Sequence, residues 1–275
     1  MAHCARAACG RWRPGALTRW VGLTFENAWY CSTGCLEAVV RARLVEAGRE
    51  RPPGPIAPPH KIGVLLIHQG TIGPTDVEAA LTLQERTGLR LGAQLRELGR
   101  VSSDDILRAL AAQARVSYLT AVNLGRVRQG PGDLSRQTIR ALGVVPFEAD
   151  PDRQRMKVAC MAPVPRVSLS ALRAVTGWDA GPYLVADEQW PSLVEAYGEG
   201  RVREEDGDRG GFVETIDEAS ARVAAIVETG KFTRMIHTVG DPWLWVRLEG
   251  DARSEDLVVS STRIVTETLW QAAHT

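Results

Sequence analysis

The sequence predicts an α+β multidomain protein of three folded units: a small cysteine-rich module, a middle domain with a helical half and an α/β half, and a small α+β unit at the C-terminal end. Three observations carry that prediction. Four of the five cysteines fall within the first 35 residues, a 24-residue pattern occurs twice between residues 61 and 113, and three stretches rich in proline, glycine or charge interrupt the apolar periodicity. The chain has 275 residues, 44% of them apolar, enough for a substantial core and more than one unit. Lys plus Arg equals Asp plus Glu at 33 each, so no net field draws the molecule toward nucleic acid or an anionic membrane. There is no run of about 18 apolar residues and no basic-then-apolar leader at the N-terminus. A cytoplasmic protein without membrane insertion is expected, with a small ligand or a protein as its partner.

Three breaks set the unit boundaries. Arg51 to Pro59 (RPPGPIAPP) spaces its prolines closely, which removes amide donors and favours an extended connector. It separates a module at 1–48 from the rest, with 49–59 as the linker. Gln129 to Asp133 (QGPGD) is a glycine and proline turn between helical residues 60–128 and mixed residues 134–198 of one middle domain, 60–198. Gly198 to Gly211 (GEGRVREEDGDRGG) offers almost nothing to bury, so 199–211 reads as a linker and 212–275 as a separate small unit.

In the N-terminal module, four residues lie between Cys4 and Cys9, three between Cys31 and Cys35, and 21 between the two pairs. Clustered thiols in a reducing compartment usually hold metal rather than form disulfides. Two close pairs are what a tetrahedral zinc site takes, and a metal holds together a unit too small for its own core. Cys4, Cys9, Cys31 and Cys35 are therefore the expected ligands of a structural zinc ion. His3 is an alternative ligand, and redox-active thiols are the competing reading, although neither spacing is CxxC. The run YCSTGCLEAVVRARL places Cys35 at the start of an amphipathic helix, and in this the module resembles treble-clef and FCS-like zinc fingers. Arg6, Arg11, Arg13 and Arg19 beside Trp12 and Trp20 permit nucleic-acid contact, but scattered arginines more often form a solvated or protein-docking face. Cys160 lies in an apolar stretch and reads as a packing residue.

The repeat emerges when the chain is aligned with itself at an offset of 29. The first copy is KIGVLLIHQGTIGPTDVEAALTLQ, Lys61 to Gln84, and the second is RLGAQLRELGRVSSDDILRALAAQ, Arg90 to Gln113. Apolar residues at helical spacing predict four short helices. Gly70 and Gly99 suit the left-handed position after a helix, while Thr75 and Ser102 or Ser103 suit the caps of the next ones. A duplicated helical hairpin explains those features. It does not explain Gly63 and Gly92 near helix starts, where glycine costs about 0.5–1 kcal/mol relative to alanine and asks for a close approach or an unusual dihedral. Nor does it require a cation at each start and a glutamine at each end. A bare backbone with an adjacent cation suits an anion, and a glutamine amide both donates and accepts. Two such sites side by side fit a ligand with two phosphates and two bases.

These two stretches, separated by Glu85 to Leu89, resemble the paired motif of the MshEN domain, found at the N-terminus of type II secretion and type IV pilus ATPases. The likeness continues through ALGVVPFEAD, MKVACMAP and the tryptophan-bearing segment from Ala171 to Gly198, and so covers residues 60–198. It implies cyclic di-GMP bound across both copies. The implied contacts in the first copy are Lys61, Ile62, Gly63, Leu66, Ile67, Gly70, Ile72, Val77, Leu81 and Gln84. In the second they are Arg90, Leu91, Gly92, Leu95, Gly99, Val101, Ile106, Leu110 and Gln113. In that family the leading arginine meets guanine, so Lys61 is a departure that keeps the charge and loses the planar fork. Thr71 and Arg100 stand where an aliphatic is usual.

For the last unit the pattern predicts a helix over Ile216 to Glu228, two strands around a Gly240-Asp241-Pro242 turn, and a final helix ending near Ala273. Trp243, Leu244, Trp245, Val246 and Leu248 are expected to fill that unit's core. The only Gly-Lys pair that could suggest a phosphate loop, Gly230-Lys231, lacks the upstream glycine and the following Ser/Thr, and neither HExxH nor GxSxG occurs. The expectation is a non-enzymatic cyclic di-GMP receptor or adaptor that signals to a protein partner, for example in a secretion or pilus machine. The alternatives are a nucleotide-controlled DNA-binding regulator acting through the zinc module and a scaffold that binds no ligand.

Overall fold

The computed structural model describes residues 1–14, 21–50, 60–127, 134–199, 211–230, 232–240, 243–251 and 254–260. The RPPGPIAPP and QGPGD segments, nearly all of the 199–211 linker, Arg19, Trp20, Lys231, Asp241, Pro242 and residues 261–275 lie outside the described residues.

In the N-terminal module, β1 (Ala2–His3) and β2 (Trp12–Arg13) pair antiparallel around the loop that carries Cys4 and Cys9. A hairpin of β3 (Leu23–Phe25) and β4 (Ala28–Tyr30) follows. Its two-residue turn places Glu26 and Asn27 at φ 49° and 61°, the double left-handed geometry that matches strand twist in a tight hairpin. The chain then enters α1 (Thr33–Gly48), whose Leu36, Val40 and Leu44 are buried.

The repeat folds into four helices, α2 (Ile62–His68), α3 (Pro74–Thr87), α4 (Leu91–Glu97) and α5 (Ser103–Ala114). Gly70 and Gly99 take φ 72° and 65° after the first and third, as the sequence predicts. The caps differ in one place. Ser102 caps α5, its hydroxyl accepting from the Asp105 amide at 3.1 Å, but Thr75 lies inside α3. Pro74 occupies the first helical position, so the cap falls on Gly73, whose amide donates to Asp76 at 3.0 Å.

The α/β half contains β5 (Ser117–Tyr118), α6 (Arg136–Leu142), β6 (Val144–Asp150), β7 (Arg155–Cys160), α7 (Arg166–Thr176), β8 (Asp179–Leu184) and α8 (Trp190–Glu199). The sheet order is β5-β8-β7-β6, antiparallel between β6 and β7 and parallel elsewhere. The apolar runs from Leu142 and Met156 mark β6 and β7. Helix α6 and strand β8, which holds a glycine and a proline, carry no comparable run in the sequence.

The remainder is β9 (Gly211–Val213), α9 (Ile216–Glu228), β10 (Arg234–Val239), β11 (Trp243–Glu249) and β12 (Ser254–Ser260), in a sheet of order β10-β11-β12-β9. Helix α9 has the predicted bounds. Residues 254–260, which follow the two predicted strands, form a third rather than entering a final helix. Leu257, Val258 and Val259 are β-rich and pair with Val246, Trp245 and Leu244, while Ser254 to Ser260 as a whole pairs along all of β11.

Period-two alternation buries this sheet on both faces. Leu244, Val246, Leu248, Leu257 and Val259 join α1, α9 and the β3–β4 hairpin in one core. Trp243, Trp245 and Val258 join the α/β half in another, together with Leu107 and Ala111 of α5. The helical repeats keep a small core of their own, around Leu66, Ala80, Leu95 and Ala109.

Arg247 lies on the tryptophan face and is 2% exposed; its Nη1 donates to both oxygens of Asp256 at 3.0 and 3.1 Å. The Trp245 indole donates to the same carboxylate at 2.8 Å, and Ser254 takes a further guanidinium bond. Removing Asp256 leaves the buried guanidinium only Ser254 and the more distant carboxylate of Glu249, at 3.7 Å. Asp256→Ala is expected to lower unfolding free energy by about 3–5 kcal/mol, measured by urea denaturation. A loss below about 1 kcal/mol, the worth of an exposed pair, would contradict this.

Candidate functional site

The two copies coincide in hydrogen bonding as well as in sequence. After α2, Gly70 N donates to Ile67 O at 2.9 Å and Thr71 N to Leu66 O at 3.1 Å. After α4, Gly99 N donates to Arg96 O and Arg100 N to Leu95 O, both at 2.9 Å. Asp76 and Asp105 each accept from the cap amide of their helix at 3.0 Å. Lys61 and Arg90 both stand exposed at the N-cap of a seven-residue helix, in extended conformation and without a side-chain cap. The copies are also interleaved: α2 packs on α5, and α3 on α4.

The two anomalous glycines are explained by close approach. A Cβ on Gly63 would lie 3.2 Å from Leu91 and 3.3 Å from Val77, and one on Gly92 would lie 3.4 Å from Ile106. Both residues have ordinary helical dihedrals. Leu91 of the second copy thus reaches the first turn of α2, which brings the starts of the two copies together. At the other end, Gln113 Nε2 donates to the carbonyl of His60 at 2.5 Å, so the last residue of the second copy closes on the residue before the first. Arg100 pairs with Asp76 at 3.2 Å across the copies.

The predicted contacts sort into three groups. Leu66, Ile72, Leu95 and Val101 are buried inside the bundle, with Ile62, Ile67, Val77, Leu91 and Ile106 packed around them. Lys61, Gly70, Leu81, Arg90 and Gly99 are exposed, and Gln84 and Gln113 are half-buried. Leu110 and Ile106 line a cleft of about 370 Å³ between α5 and the loop that follows β8, within the roughly 300–1,000 Å³ range of small-ligand sites. Leu107, Ala162 and Val185 complete its apolar side, and Arg96, Ser103, Asp187 and Glu188 its polar side. Arg96 Nη1 and Glu188 Oε1 lie 2.5 Å apart across it. A hydrogen bond from its own amide, and then Arg96, hold the Glu188 carboxyl below its ordinary pKa. Sequence reasoning missed this polar side. The one available signal was Arg96 itself, standing where the first copy has Ile67.

The thiols of Cys4, Cys9, Cys31 and Cys35 all lie within 4.8 Å of one another. Cys9 and Cys31 sulfurs are 3.5 Å apart and Cys31 and Cys35 sulfurs 3.6 Å, too far for a disulfide and close to the ~3.8 Å edge of a tetrahedron with 2.3 Å metal–sulfur bonds. The loop between β1 and β2 supplies the first pair; the turn between β4 and α1 supplies Cys31, and the first turn of α1 supplies Cys35. Burial raises the Cys35 thiol, but hydrogen bonds from Ser32, the neighbouring thiols and Arg6 outweigh it and bring the pKa to about 7. Burial and the other thiols raise Cys31 to about 11. The geometry suits a soft divalent metal that takes four thiolates. His3 does not belong to the cluster.

No family model matches the sequence, and no curated protein matches it. Among solved structures, the chain is similar to MshE with cdg at 23% identity, over 50% of this chain and 99% of that one, with a TM-score of 0.40. It is also similar to the N-terminal domain of XpsE in two crystal forms. One has 20% identity over 50% of this chain and 92% of that one, at a TM-score of 0.35. The other has 20% identity over 53% and 99%, at 0.28.

Proposed function

We propose that the chain is a cyclic di-GMP receptor without chemistry of its own, which binds the dinucleotide across the two repeats and passes the signal to a protein partner in the cytoplasm. The observation that carries this reading is the duplicated geometry. Two helix starts, each with an exposed cation beside a buried glycine, are drawn together by the Gly63–Leu91 contact. A ligand with two like halves is the natural complement of a site with two like halves. In this reading Lys61 and Arg90 take the phosphates and base edges. Leu81, Ile106 and Leu110 offer apolar walls, and Gln84 and Gln113 close the two ends. The buried aliphatics Leu66, Ile72, Leu95 and Val101 act by shaping the bundle.

The four cysteines hold zinc in the same reading. Zinc has no redox chemistry and takes four thiolates as a closed structural site. Among the described residues no helix is long and apolar enough to cross a membrane.

Titration calorimetry of the full chain with cyclic di-GMP tests the receptor. Saturable binding with one dinucleotide per chain is expected. No binding at tens of micromolar would remove it and leave the scaffold reading.

A further inference from the structure

The two halves of the candidate site differ in their surroundings. In the second copy Leu110 faces the cleft, with the loop after β8 opposite. In the first copy its counterpart, Leu81, is 45% exposed, and the position of Arg96 is taken by Ile67. The second half therefore has a polar pair beside an apolar wall, at the positions where the first half has Ile67 and the exposed Leu81. Arg96 Nη1 lies 2.5 Å from Glu188 Oε1 and 3.4 Å from Ser103 Oγ, and Ile106 and Leu110 form the apolar wall.

Resting on the receptor reading, we propose that Arg96 and Glu188 together select guanine, and that they do so for only one of the ligand's two bases. The chemistry is that of adjacent edges. Guanine presents two acceptors, N7 and O6, followed by two donors, N1–H and the N2 amine. A guanidinium beside a carboxylate presents donors followed by two acceptors, in the same order. The ion pair need not break to meet the base, because each partner still has free positions on its outward side. Adenine offers an acceptor, then a donor, then an acceptor, so it would set its amine against the guanidinium and leave the carboxylate without a donor. A site built to hydrogen-bond a particular edge discriminates through the groups it would otherwise leave unpaired. Glu188 serves this role better than its neighbour Asp187, because Arg96 already orients it.

The consequence is a discrimination that counts one base rather than two. Calorimetry on the full chain with cyclic di-GMP, cyclic di-AMP and the mixed 3′,3′-cyclic GMP–AMP tests it. The mixed ligand is expected to bind within a few-fold of cyclic di-GMP, about twofold weaker from having one productive orientation instead of two. Cyclic di-AMP is expected to bind weaker by about tenfold or more. Glu188→Gln, which turns an acceptor into a donor, and Arg96→Leu should each shrink that gap, while Asp187→Asn should leave it. Both paired residues are half-exposed, so neither change threatens the core. The inference is overturned if the mixed ligand is rejected as strongly as cyclic di-AMP, if Asp187→Asn closes the gap, or if the Glu188 and Arg96 variants keep it. Should the wild-type chain bind none of the three, the receptor reading itself falls and this one with it.

Discussion

With Cys4, Cys9, Cys31 and Cys35 holding zinc as proposed, stripping that metal by a strong chelator or by Cys35→Ser is expected to unfold far more than the N-terminal module. Cys4 and Cys35 belong to the same apolar core as Val213, Val223, Leu244 and Val246. Leu36, Val40 and Leu44 of α1 are buried in it, and Cys35 is in the first turn of that helix. Polar contacts add to the joint. Glu26 accepts from Met235 N at 3.0 Å and donates its own amide to Thr233 O at 3.2 Å, while Arg43 pairs with its carboxylate at 2.7 Å. Arg41 pairs with Asp217 of α9. Structural zinc contributes about 10–16 kcal/mol in small modules, as much as the whole stability of a typical domain at about 5–15 kcal/mol. Without it, α1 loses the anchor at its start, and the sheet loses the cover of one face. Hydrogen exchange should rise steeply in α9, β10 and β11. The repeats, with a separate core around Leu66 and Leu95, should keep their protection. Unchanged exchange in residues 216–227 after complete metal removal would contradict the linkage.

The second large effect concerns Arg90. Its guanidinium is exposed at the start of α4 with no side-chain cap to disturb, so Arg90→Ala should leave the fold intact. A lost charge-assisted hydrogen bond costs about 1.5–3 kcal/mol, so cyclic di-GMP affinity should fall about 10- to 150-fold. Lys61→Ala should cost less, since an ammonium makes no bidentate contact and keeps more of its hydration. Lys61→Arg should tighten binding by restoring the fork. Equal losses for the two alanine variants would show that the two halves are not distinguished by their leading cation.

Much of the architecture was legible in the sequence because it follows from local rules. Four helices in the repeat, the bounds of α9, the left-handed Gly70 and Gly99, and the pairing of four cysteines all arise from periodicity, spacing or the freedom of one residue. Local rules failed where two signals competed. Pro74 took the first helical position and pushed the cap from Thr75 to Gly73. β12 went unrecognised because Ser254 to Ser260 carries charge at one end and a β-rich run at the other, and only pairing with β11 decides between them.

What the sequence determined by itself is the duplication: two copies at a fixed offset must fold alike, since the same local preferences act twice. Only the tertiary structure decided that the copies have different neighbours, with Leu110 meeting the α/β half and Leu81 meeting solvent. It alone decided that the alternating residues of β11 serve two cores, and that the cysteine module shares one of them with the far end of the chain. Side-chain spacing along a strand shows that it has two faces. Which partner covers each face depends on contacts between residues some two hundred positions apart, such as Glu26 and Met235, and no local pattern encodes those.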